Sequence, residues 1–379
     1  MAVWPVGIGV MAEKAGGVRD LEREDLPSVA ELFQKTFRNS QPVRPSMIQY
    51  LREVFFDHPW YDEEIRSKVF IDKSGGVQGF IGVFPSRLEI NGRPIRAAYA
   101  GSMMVDRHEQ NPLAGARLLR SFLTGPQDIS LTETANSLAL GMWQKLALPL
   151  DIAYSLNWLR ILRPTGTAIQ VAERGLKAAR LLRPVASLSD GLIERMGVKS
   201  FRAPPIHGAG RVNFWDASRE EFAEAVLKLS ELFPLRPQWD RASLDWFMDH
   251  AQEKRQFGKP SWRIAESRNG DLVGCYVYYH RPGGIGWLLQ AVCAPNVAGE
   301  LVDDLFAHAD ASGCVAIRGA GHPWLTPELI SRKTLFYGRA FFVAHAKDKS
   351  LLQPIRSGEA LISGLAGENW MRLIGDDFD

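Results

Sequence analysis

Apolar residues recur every three or four positions along residues 25–37, which predicts an amphipathic helix. Asp25 suits the N-cap of this helix and Pro27 its first turn. Further along, two apolar runs joined by a glycine-containing turn predict a β-hairpin over residues 69–83, whose second run is entered through Gly79. The chain therefore combines helices and strands from its start.

The same pattern continues to residue 159. The order of its strands and helices is typical of a mixed sheet with helices on both faces. The predicted strands cover residues 17–21, 69–83 (the hairpin), 97–105, 128–134 and 151–159, and the predicted helices cover residues 25–37, 47–56, 112–123 and 137–146. We therefore predict an α/β fold with a mixed, mostly antiparallel sheet.

The order of elements recurs in the second half of the chain. A second hairpin with a glycine turn spans residues 262–277, and an apolar strand follows over residues 285–293. The next helices also match, since residues 113–122 and 297–306 both have Gly in the third place and Phe in the tenth. A repeat of this size indicates a duplicated domain rather than a solenoid unit.

The repeat divides the chain into four parts. We predict a tail over residues 1–16, a first domain over residues 17–162, a basic linker over residues 163–208 and a second domain over residues 209–379. The last predicted strand of the second domain covers residues 341–346.

Composition narrows the class of protein. The 379 residues carry 45 basic and 43 acidic side chains, so global charge gives no reason to expect a nucleic-acid partner. Cys275, Cys293 and Cys314 lack C-x-x-C spacing and are predicted to be small core residues in a reducing cytoplasm, without a disulfide or a metal. No uninterrupted apolar run of about 18 residues, the length of a transmembrane helix, occurs.

A glycine-containing segment follows the strand over residues 97–105. It reads Val105-Asp-Arg-His-Glu-Gln110-Asn-Pro-Leu113-Ala-Gly115-Ala. Gly115 at the start of a helix would let backbone N–H groups approach a phosphate closely. The segment resembles the acyl-CoA signature of the GNAT superfamily of N-acetyltransferases. It matches that signature at Val105, Gln110 and Gly115 and departs from it at Leu113, where Gly is usual.

The resemblance implies that the first copy binds acetyl-CoA as co-substrate, with the pyrophosphate facing the helix N-terminus. The residues expected to contact acetyl-CoA are Val105, Gln110, Leu113, Ala114, Gly115, Ala116, Asn136 and Trp143. In the second copy Ala294 stands in the place of Gln110, and Glu300 and Asp303 on the helix would repel a diphosphate. We predict two tandem GNAT-like domains, the second of them degenerate.

The same resemblance suggests where a general acid should lie. GNAT enzymes carry Asn in the loop after the fifth strand, as Asn136 does here. A Tyr seven residues later often donates a proton to the departing thiolate. Trp143 occupies that place, and an indole N–H is not a usable acid. Tyr154 on the predicted last strand is the candidate substitute, while packing as a half-buried strand tyrosine is the favoured interpretation.

Glu133, on the predicted strand over residues 128–134, is the candidate general base. A carboxylate can take the proton that an attacking amine must lose. His108 and Glu109, before the helix, are alternatives, and a solvent-facing structural role for Glu133 also stays open. His322 and Trp324 occupy the corresponding place in the second copy and are predicted to line an acceptor pocket.

The predicted linker is basic. Residues 158–205 contain nine Arg or Lys against three acidic residues. A helix there could bridge the two domains, which we favour. Alternatively, residues 163–183 could contact an anionic membrane surface from the cytoplasm.

The tandem arrangement over residues 17–379 is similar to the two-domain acetyltransferases of exopolysaccharide and holdfast gene clusters, and distantly to Fem-type peptidyl transferases. Residues 368–379, a predicted tryptophan strand with an acidic tail, share in this likeness. It implies transfer of an acyl group to an amine on a saccharide or a lipid-linked saccharide precursor. The alternative is a catalytically retired relative that senses CoA or a nucleotide, or a scaffold. Monomer and homodimer both stay open.

Overall fold

The computed structural model describes residues 16–106, 109, 111–145, 150–172, 211–376 and 378. The strands are β1 (Gly17–Asp20), β2 (Lys68–Ile71), β3 (Val77–Ile90), β4 (Arg93–Val105), β5 (Ile129–Ala135), β6 (Leu150–Asp151), β7 (Asn157–Ile161), β8 (Val212–Asp216), β9 (Leu235–Pro237), β10 (Lys259–Ser267), β11 (Leu272–His280), β12 (Ile285–Cys293), β13 (Ala316–Gly319), β14 (Leu335–Tyr337) and β15 (Phe341–Ala346). The α-helices are α1 (Leu26–Phe37), α2 (Pro45–Phe55), α3 (Ala114–Leu123), α4 (Ser137–Lys145), α5 (Ile152–Ser155), α6 (Pro164–Ala172), α7 (Arg219–Ser230), α8 (Arg241–Gln252), α9 (Ala298–Ala311), α10 (Thr326–Ser331) and α11 (Gln353–Arg356).

The strands form two mixed sheets. The first has the order β1-β2-β3-β4-β5-β15-β6, with β9 paired to β3. The second has the order β14-β7-β13-β12-β11-β10-β8. One pair in each sheet is parallel, β4 with β5 and β12 with β13. The predicted α/β fold with two mixed, mostly antiparallel sheets is confirmed.

Each sheet contains a strand from the other half of the chain. β7 pairs with β13 and β14 in the second sheet, and β15 pairs with β5 and β6 in the first. The predicted strand over residues 151–159 is therefore corrected. It is split between β6, α5 and β7, and Tyr154 lies in the short helix α5. Neither sheet is complete without the other half of the chain.

The C-terminal segment also differs from the pattern-based expectation. Residues 368–376 form a buried series of turns rather than a tryptophan strand. Most of the predicted linker, residues 173–208, lies outside the described residues, and so does most of the stretch proposed to contact a membrane. Within the described part of the chain, no helix combines the length and apolarity needed to cross a bilayer.

The long β3–β4 hairpin fixes the position of the motif after β4. Its two-residue turn is Asn91-Gly92, with φ angles of 50° and 81°. An Asn-Gly pair with positive φ at both positions matches the twist of hairpin strands. This turn sets the register from Ile90–Arg93 to Gly82–Gly101, after which the register shifts by one residue and the pairing ends at Gly79–Val105. The hairpin thereby places Val105, the last residue of β4, at the start of the segment that leads to α3.

Helices cover both faces of the first sheet. α1 and α2 pack on one face, where Phe33 and Val54 join a large buried cluster that also includes α7 and α8 of the second half. α3 and α4 pack on the opposite face through Leu118 and Trp143. The two faces are therefore separated by the sheet itself, except where its strands move apart.

Candidate functional site

Strands β4 and β5 pair at their start and then diverge. Their last Cα partners are Tyr99 and Leu131. Directly beyond, the β3–β4 register shifts and Ser102 adopts a φ of 51°. Such a bulge bends the strand and leaves its extra residue out of the hydrogen-bonded ladder. We call this opening, formed by residues 100–103 and 132–136, the first splay.

A cleft of about 420 Å³ lies in the first splay. Ala139 and Trp143 of α4 line it from one face of the sheet, and Phe33 and Phe37 of α1 line it from the other. The cleft therefore connects the two faces through the gap between β4 and β5. The lining residues that matter for chemistry include Ser102, Glu133, Asn136, Tyr154, Arg318 and Arg339.

The carboxyl group of Glu133 lies buried in the wall of this cleft. Its Oε1 accepts hydrogen bonds from the N–H of Gly364, at 2.8 Å, and from the side-chain amide of Asn369. Its Oε2 accepts from the N–H of Glu368 at 2.9 Å. Burial raises the pKa of Glu133 to about 8, although these hydrogen bonds lower it. A carboxyl group with this pKa can exchange protons near neutral pH, as a general base must.

The donors to Glu133 belong to residues 360–376, which we call the C-terminal strap. Glu368 of the strap in turn accepts hydrogen bonds from β5. Its Oε1 accepts from the N–H groups of Glu133 and Thr134 and from the Thr134 hydroxyl, each at 2.8 Å. Burial raises the pKa of Glu368 to about 7. The sequence reasoning missed the role of Glu368, and the only available signal was a single carboxylate in the otherwise uncharged stretch of residues 360–371.

Lys254, just after α8, fixes the strap from behind. Its ammonium group is fully buried and donates to the carbonyl oxygens of Asn369, Met371 and Ile374 at 2.8, 2.7 and 3.0 Å. Burial lowers the pKa of Lys254 to about 7. Three carbonyls converging on one ammonium group hold the strap against the cleft.

Tyr154 lies at the cleft with its hydroxyl already engaged. The hydroxyl donates to the carbonyl oxygen of Ala360 at 2.7 Å and accepts from the N–H of the same residue at 3.0 Å. Burial raises the pKa of Tyr154 above its ordinary value. In this geometry the hydroxyl anchors the strap, and its role as a proton donor stays a prediction.

The N-terminus of α3 begins beside the cleft. Leu113 is the N-cap residue, and its side chain is 59% exposed, so Leu in the usual place of Gly projects into solvent. Ala114 and Gly115 are buried, whereas Ala116 is exposed. Val105 is half-buried against the same cluster. Gln110 and the alternative base His108 lie outside the described residues.

The reason for Gly115 is corrected by this geometry. A Cβ at Gly115 would lie 3.1 Å from the sulfur of Met142 on α4, so it would point into the packed α3–α4 contact. Gly115 therefore lets the two helices approach each other, and Ala116 is the residue that faces outward. The N–H of Ala114 donates to the carbonyl of Asn111 at 3.0 Å and that of Arg117 to the carbonyl of Leu113 at 2.9 Å. The N–H groups of Gly115 and Ala116 lie between them in the first helical turn, where a helix offers no internal partner and can receive an anion.

Asn136 and Trp143 support α4. The Asn136 Oδ1 accepts from the N–H of Ala139 at 2.9 Å and so caps the helix, although the residue remains exposed at the cleft. Trp143 is buried, with its ring 6.2 Å from that of Phe122. Both residues line the cleft, and their contact with a co-substrate stays a prediction.

These features fit an acyl-CoA. An extended thioester-bearing arm requires a gap between strands, and the first splay provides one. A pyrophosphate requires unpaired backbone N–H groups, and the start of α3 provides them. The exposed Leu113 side chain leaves that helix end accessible.

The second sheet diverges in the same manner after Trp287 and Arg318, the last partners of β12 and β13. This second splay is filled. Gln290 accepts through Oε1 from the N–H groups of Leu365 and Ala366 at 2.9 and 3.2 Å. Its amide nitrogen also lies 3.3 Å from His322 Nε2.

His322 completes the filling of the second splay. Its Nε2 accepts from the N–H of Ala291 at 3.2 Å, and its Nδ1 donates to the carbonyl of Ala320 at 2.6 Å. Trp324 packs its ring 4.6 Å from that of Phe233. Neither His322 nor Trp324 lines the cleft of the first splay, and their contact with an acceptor stays a prediction.

The helix N-terminus after the second splay is also occupied. Arg332 donates to the carbonyl of Gly299 at 2.9 Å and to Asp303 at 2.6 and 2.7 Å. A Cβ on Gly299 would lie 3.0 Å from a carboxylate oxygen of Glu328. Glu300 pairs with Arg211 at 2.7 Å. Acidic side chains therefore surround the start of α9.

Three arginines that the sequence reasoning missed line the cleft. Arg38 follows α1, Arg318 lies on β13, and Arg339 precedes β15. Arg318 and Arg339 belong to the second half of the chain and reach the first splay only because the two halves interlock. No local motif could have joined them to Glu133.

The architecture is shared with solved acyltransferase structures. A conserved protein from Enterococcus faecalis V583, described as a probable N-acyltransferase, matches with a TM-score of 0.57 at 10% identity, over 89% of this chain and 74% of that one. A GCN5-related N-acetyltransferase from Anabaena variabilis ATCC 29413 matches with a TM-score of 0.57 at 10% identity, over 87% and 72%. Another from Kribbella flavida gives 0.51 at 12% identity, over 88% and 72%.

At these identities the likeness establishes the fold, the GNAT fold expected from the sequence resemblance. No protein-family model and no curated protein sequence matches the chain.

Proposed function

We propose that this protein is an acyl-CoA-dependent N-acyltransferase that transfers a short acyl group, acetyl in the first instance, to an amine. The observation that supports this most is the cleft through the first splay, which is lined from both faces of the sheet. A donor arriving from the α3–α4 face and an acceptor arriving from the α1 face would meet at one point. Holding two reactants in this way removes much of the entropic barrier to their reaction.

The residues around the first splay have separable roles in this proposal. The start of α3 binds the pyrophosphate of the donor. The bulge at Ser102 presents backbone N–H groups to the thioester carbonyl oxygen, where negative charge develops during attack. Trp143 and Ala139 contact the arm of the donor near its acyl group.

Glu133 is the proposed general base. The acceptor nitrogen forms a bond to the thioester carbonyl carbon, and the carbon–sulfur bond breaks with its electron pair on sulfur. The amine loses a proton during this exchange, and the Glu133 carboxylate takes it. Glu368 and Lys254 do not touch the reacting atoms in this scheme, and they act by fixing the strap that orients Glu133.

The acceptor proposed from the sequence resemblance is an amine on a saccharide or a lipid-linked saccharide precursor. The acceptor side of the cleft supports a cyclic acceptor, because Phe257, Trp287 and Tyr337 contribute aromatic rings to its wall. Aromatic faces combine a large apolar contact with a polar edge and suit packing against a sugar ring.

Binding of acetyl-CoA tests the donor site directly. Ala139→Trp should fill the α4 side of the cleft and abolish binding, because Ala139 lines it. Leu138→Trp is the matched control, since the neighbouring Leu138 is 76% exposed and should tolerate the same side chain. Isothermal titration of the wild type and both variants measures this.

The titration separates the proposal from its main alternatives. Wild-type protein that does not bind acetyl-CoA would overturn the enzyme proposal. Binding without CoA release in the presence of any primary amine would favour a retired acyltransferase that senses CoA. Equal binding by both tryptophan variants would place the donor outside the first splay.

A further inference from the structure

We propose that the acceptor carries an anionic group, a carboxylate or a phosphate, in addition to its reacting amine, and that Arg318 binds this group with support from Arg38 and Arg339. The inference rests on the proposed function, because it assigns the acceptor half of the same cleft.

The charge of the cleft wall is the first argument. Among the described residues that line it, Arg38, Arg318 and Arg339 are cationic and Glu133 is the only carboxyl group. Because burial raises the pKa of Glu133 to about 8, its negative charge is incomplete at neutral pH. A cleft lined by one sign of charge concentrates ligands of the opposite sign. A simple cationic amine would be repelled there, whereas an amine with an attached anion would be attracted.

The geometry of Arg318 is the second argument. Its guanidinium carbon lies 5.7 Å from the ring centres of both Phe257 and Trp287. A guanidinium group held against aromatic faces keeps its planar fork of N–H donors in a fixed orientation. Such a fork matches the paired oxygens of a carboxylate or a phosphate. The Lys254 side-chain nitrogen lies 4.7 Å from the Trp287 ring centre, behind the same wall, and adds part of a positive charge at neutral pH because burial lowers its pKa to about 7.

The position of the arginines separates them from the donor phosphates. Arg38 directly follows α1, which packs on the face of the sheet opposite to α3 and α4. Arg318 extends from β13 of the second sheet, whereas α3 and α4 pack on the first sheet. The donor pyrophosphate is proposed to bind at the start of α3. The arginines therefore serve the second substrate.

Three matched probes test the inference: glucosamine, glucosamine 6-phosphate and glucosaminuronic acid. They share one amine and differ only in the hydroxyl, phosphate or carboxylate at carbon 6. Each is titrated calorimetrically into the full-length protein loaded with CoA. We expect the anionic amines to bind about 10- to 100-fold more tightly than glucosamine, since each adds a charge-assisted, paired hydrogen bond. The ratio of the two anionic affinities shows which anion the site prefers.

Two variants connect that preference to Arg318. Arg318→Gln should bring the anionic amines to the affinity of glucosamine, and Arg318→Lys should keep part of the preference. Arg93→Gln is the matched control, because Arg93 is an exposed arginine beside the turn of the β3–β4 hairpin. This control should behave as the wild type. Added salt should weaken the binding of the anionic amines and should not weaken the binding of glucosamine.

The outcomes are distinct from those of the donor test. Protein that binds acetyl-CoA but binds all three amines equally, or binds neither anionic amine at millimolar concentration, overturns this inference and leaves the proposed function standing. A wild-type preference that persists in folded Arg318→Gln and Arg318→Lys protein would overturn the assignment to Arg318. Protein that binds no acetyl-CoA overturns the proposed function itself.

Discussion

The first and second splays share the same arrangement of strands, but the first is open and the second is filled by side chains. In each, a parallel strand pair separates after three Cα partners, beside a register shift in the preceding antiparallel pair. The first splay is open to both faces of its sheet and lined by Glu133. The second is closed by Gln290, His322 and the C-terminal strap. A fold that creates two gaps thus keeps only one available for chemistry.

Small sequence differences produce this asymmetry. Ser102 stands three residues before Val105 in β4, and Gln290 stands three residues before Cys293 in β12. The longer Gln290 side chain reaches the strap backbone, and Gly364 completes the fit. With a φ of 73°, Gly364 approaches so closely that a Cβ would lie 2.0 Å from the Leu289 carbonyl oxygen. In the first splay the strap contributes Glu368 instead, which leaves the cleft beside it open.

The largest effect should come from Glu133→Gln. If Glu133 is the general base of the open splay, this change should slow acyl transfer about 10²–10⁴-fold with little change in acetyl-CoA affinity. The wild-type rate should rise as the pH passes through about 8, because the base acts only when deprotonated. The variant should lose this rise. Initial rates across pH, with calorimetric affinities, measure both.

Stability provides a control for Glu133→Gln. The folded-state pKa of about 8 exceeds the ordinary value of 4.5, so the folded state binds this proton more tightly. The stabilisation is complete below about pH 4.5 and is lost as the pH rises through 8. Denaturant unfolding of the variant should lack this slope. An unchanged rate in folded variant protein would transfer the role to His108 or Glu109.

His322→Gln tests whether the filled splay is structural. Burial lowers the pKa of His322 to about 4 from 6.5, so its contribution is full above pH 6.5 and is lost as the pH falls through 4. The wild type should lose up to about 3 kcal/mol of its free energy of unfolding over that window. The variant should lose correspondingly less, with an unchanged acyl-transfer rate at neutral pH. A large loss of rate in the folded variant would mean that the second splay takes part in catalysis.

A smaller effect should follow from replacing Ala116, which follows Gly115, with the glutamate that follows Gly299 in the second copy. Ala116→Glu gives α3 the acidic residue that Glu300 supplies to α9. It should stabilise the helix by about 0.3–1 kcal/mol through the helix dipole and yet weaken acetyl-CoA binding, about 10-fold, by charge repulsion. Thermal unfolding and calorimetry should therefore change in opposite directions.

Glu300→Ala is the matched change in the second copy and should have the smallest effect. It removes the exposed pair with Arg211, which is expected to contribute less than about 1 kcal/mol. Acetyl-CoA binding should be unaltered. Weaker binding in Glu300→Ala than in Ala116→Glu would reverse the assignment of the donor site.

Sequence patterns determined the local elements of this protein. The helical spacing of residues 25–37 predicted α1, and the glycine turns predicted both hairpins, because these features depend on neighbours in the chain. The repeated order of elements revealed the duplication and hence the two similar sheets. The pattern also placed Glu133 and Asn136 at the end of β5, where the cleft lies.

Only the tertiary structure decided which gap stays open. The exchange of β7 and β15, the threading of the strap and the arrival of Arg318 at the first splay all depend on hydrogen bonds between residues far apart in the chain. Alternation of apolar and polar residues indicates that a segment is a strand. The unpaired N–H and C=O groups at the edge of that strand can, however, form hydrogen bonds with many other strands. The choice among those partners is made by the packing of the whole molecule.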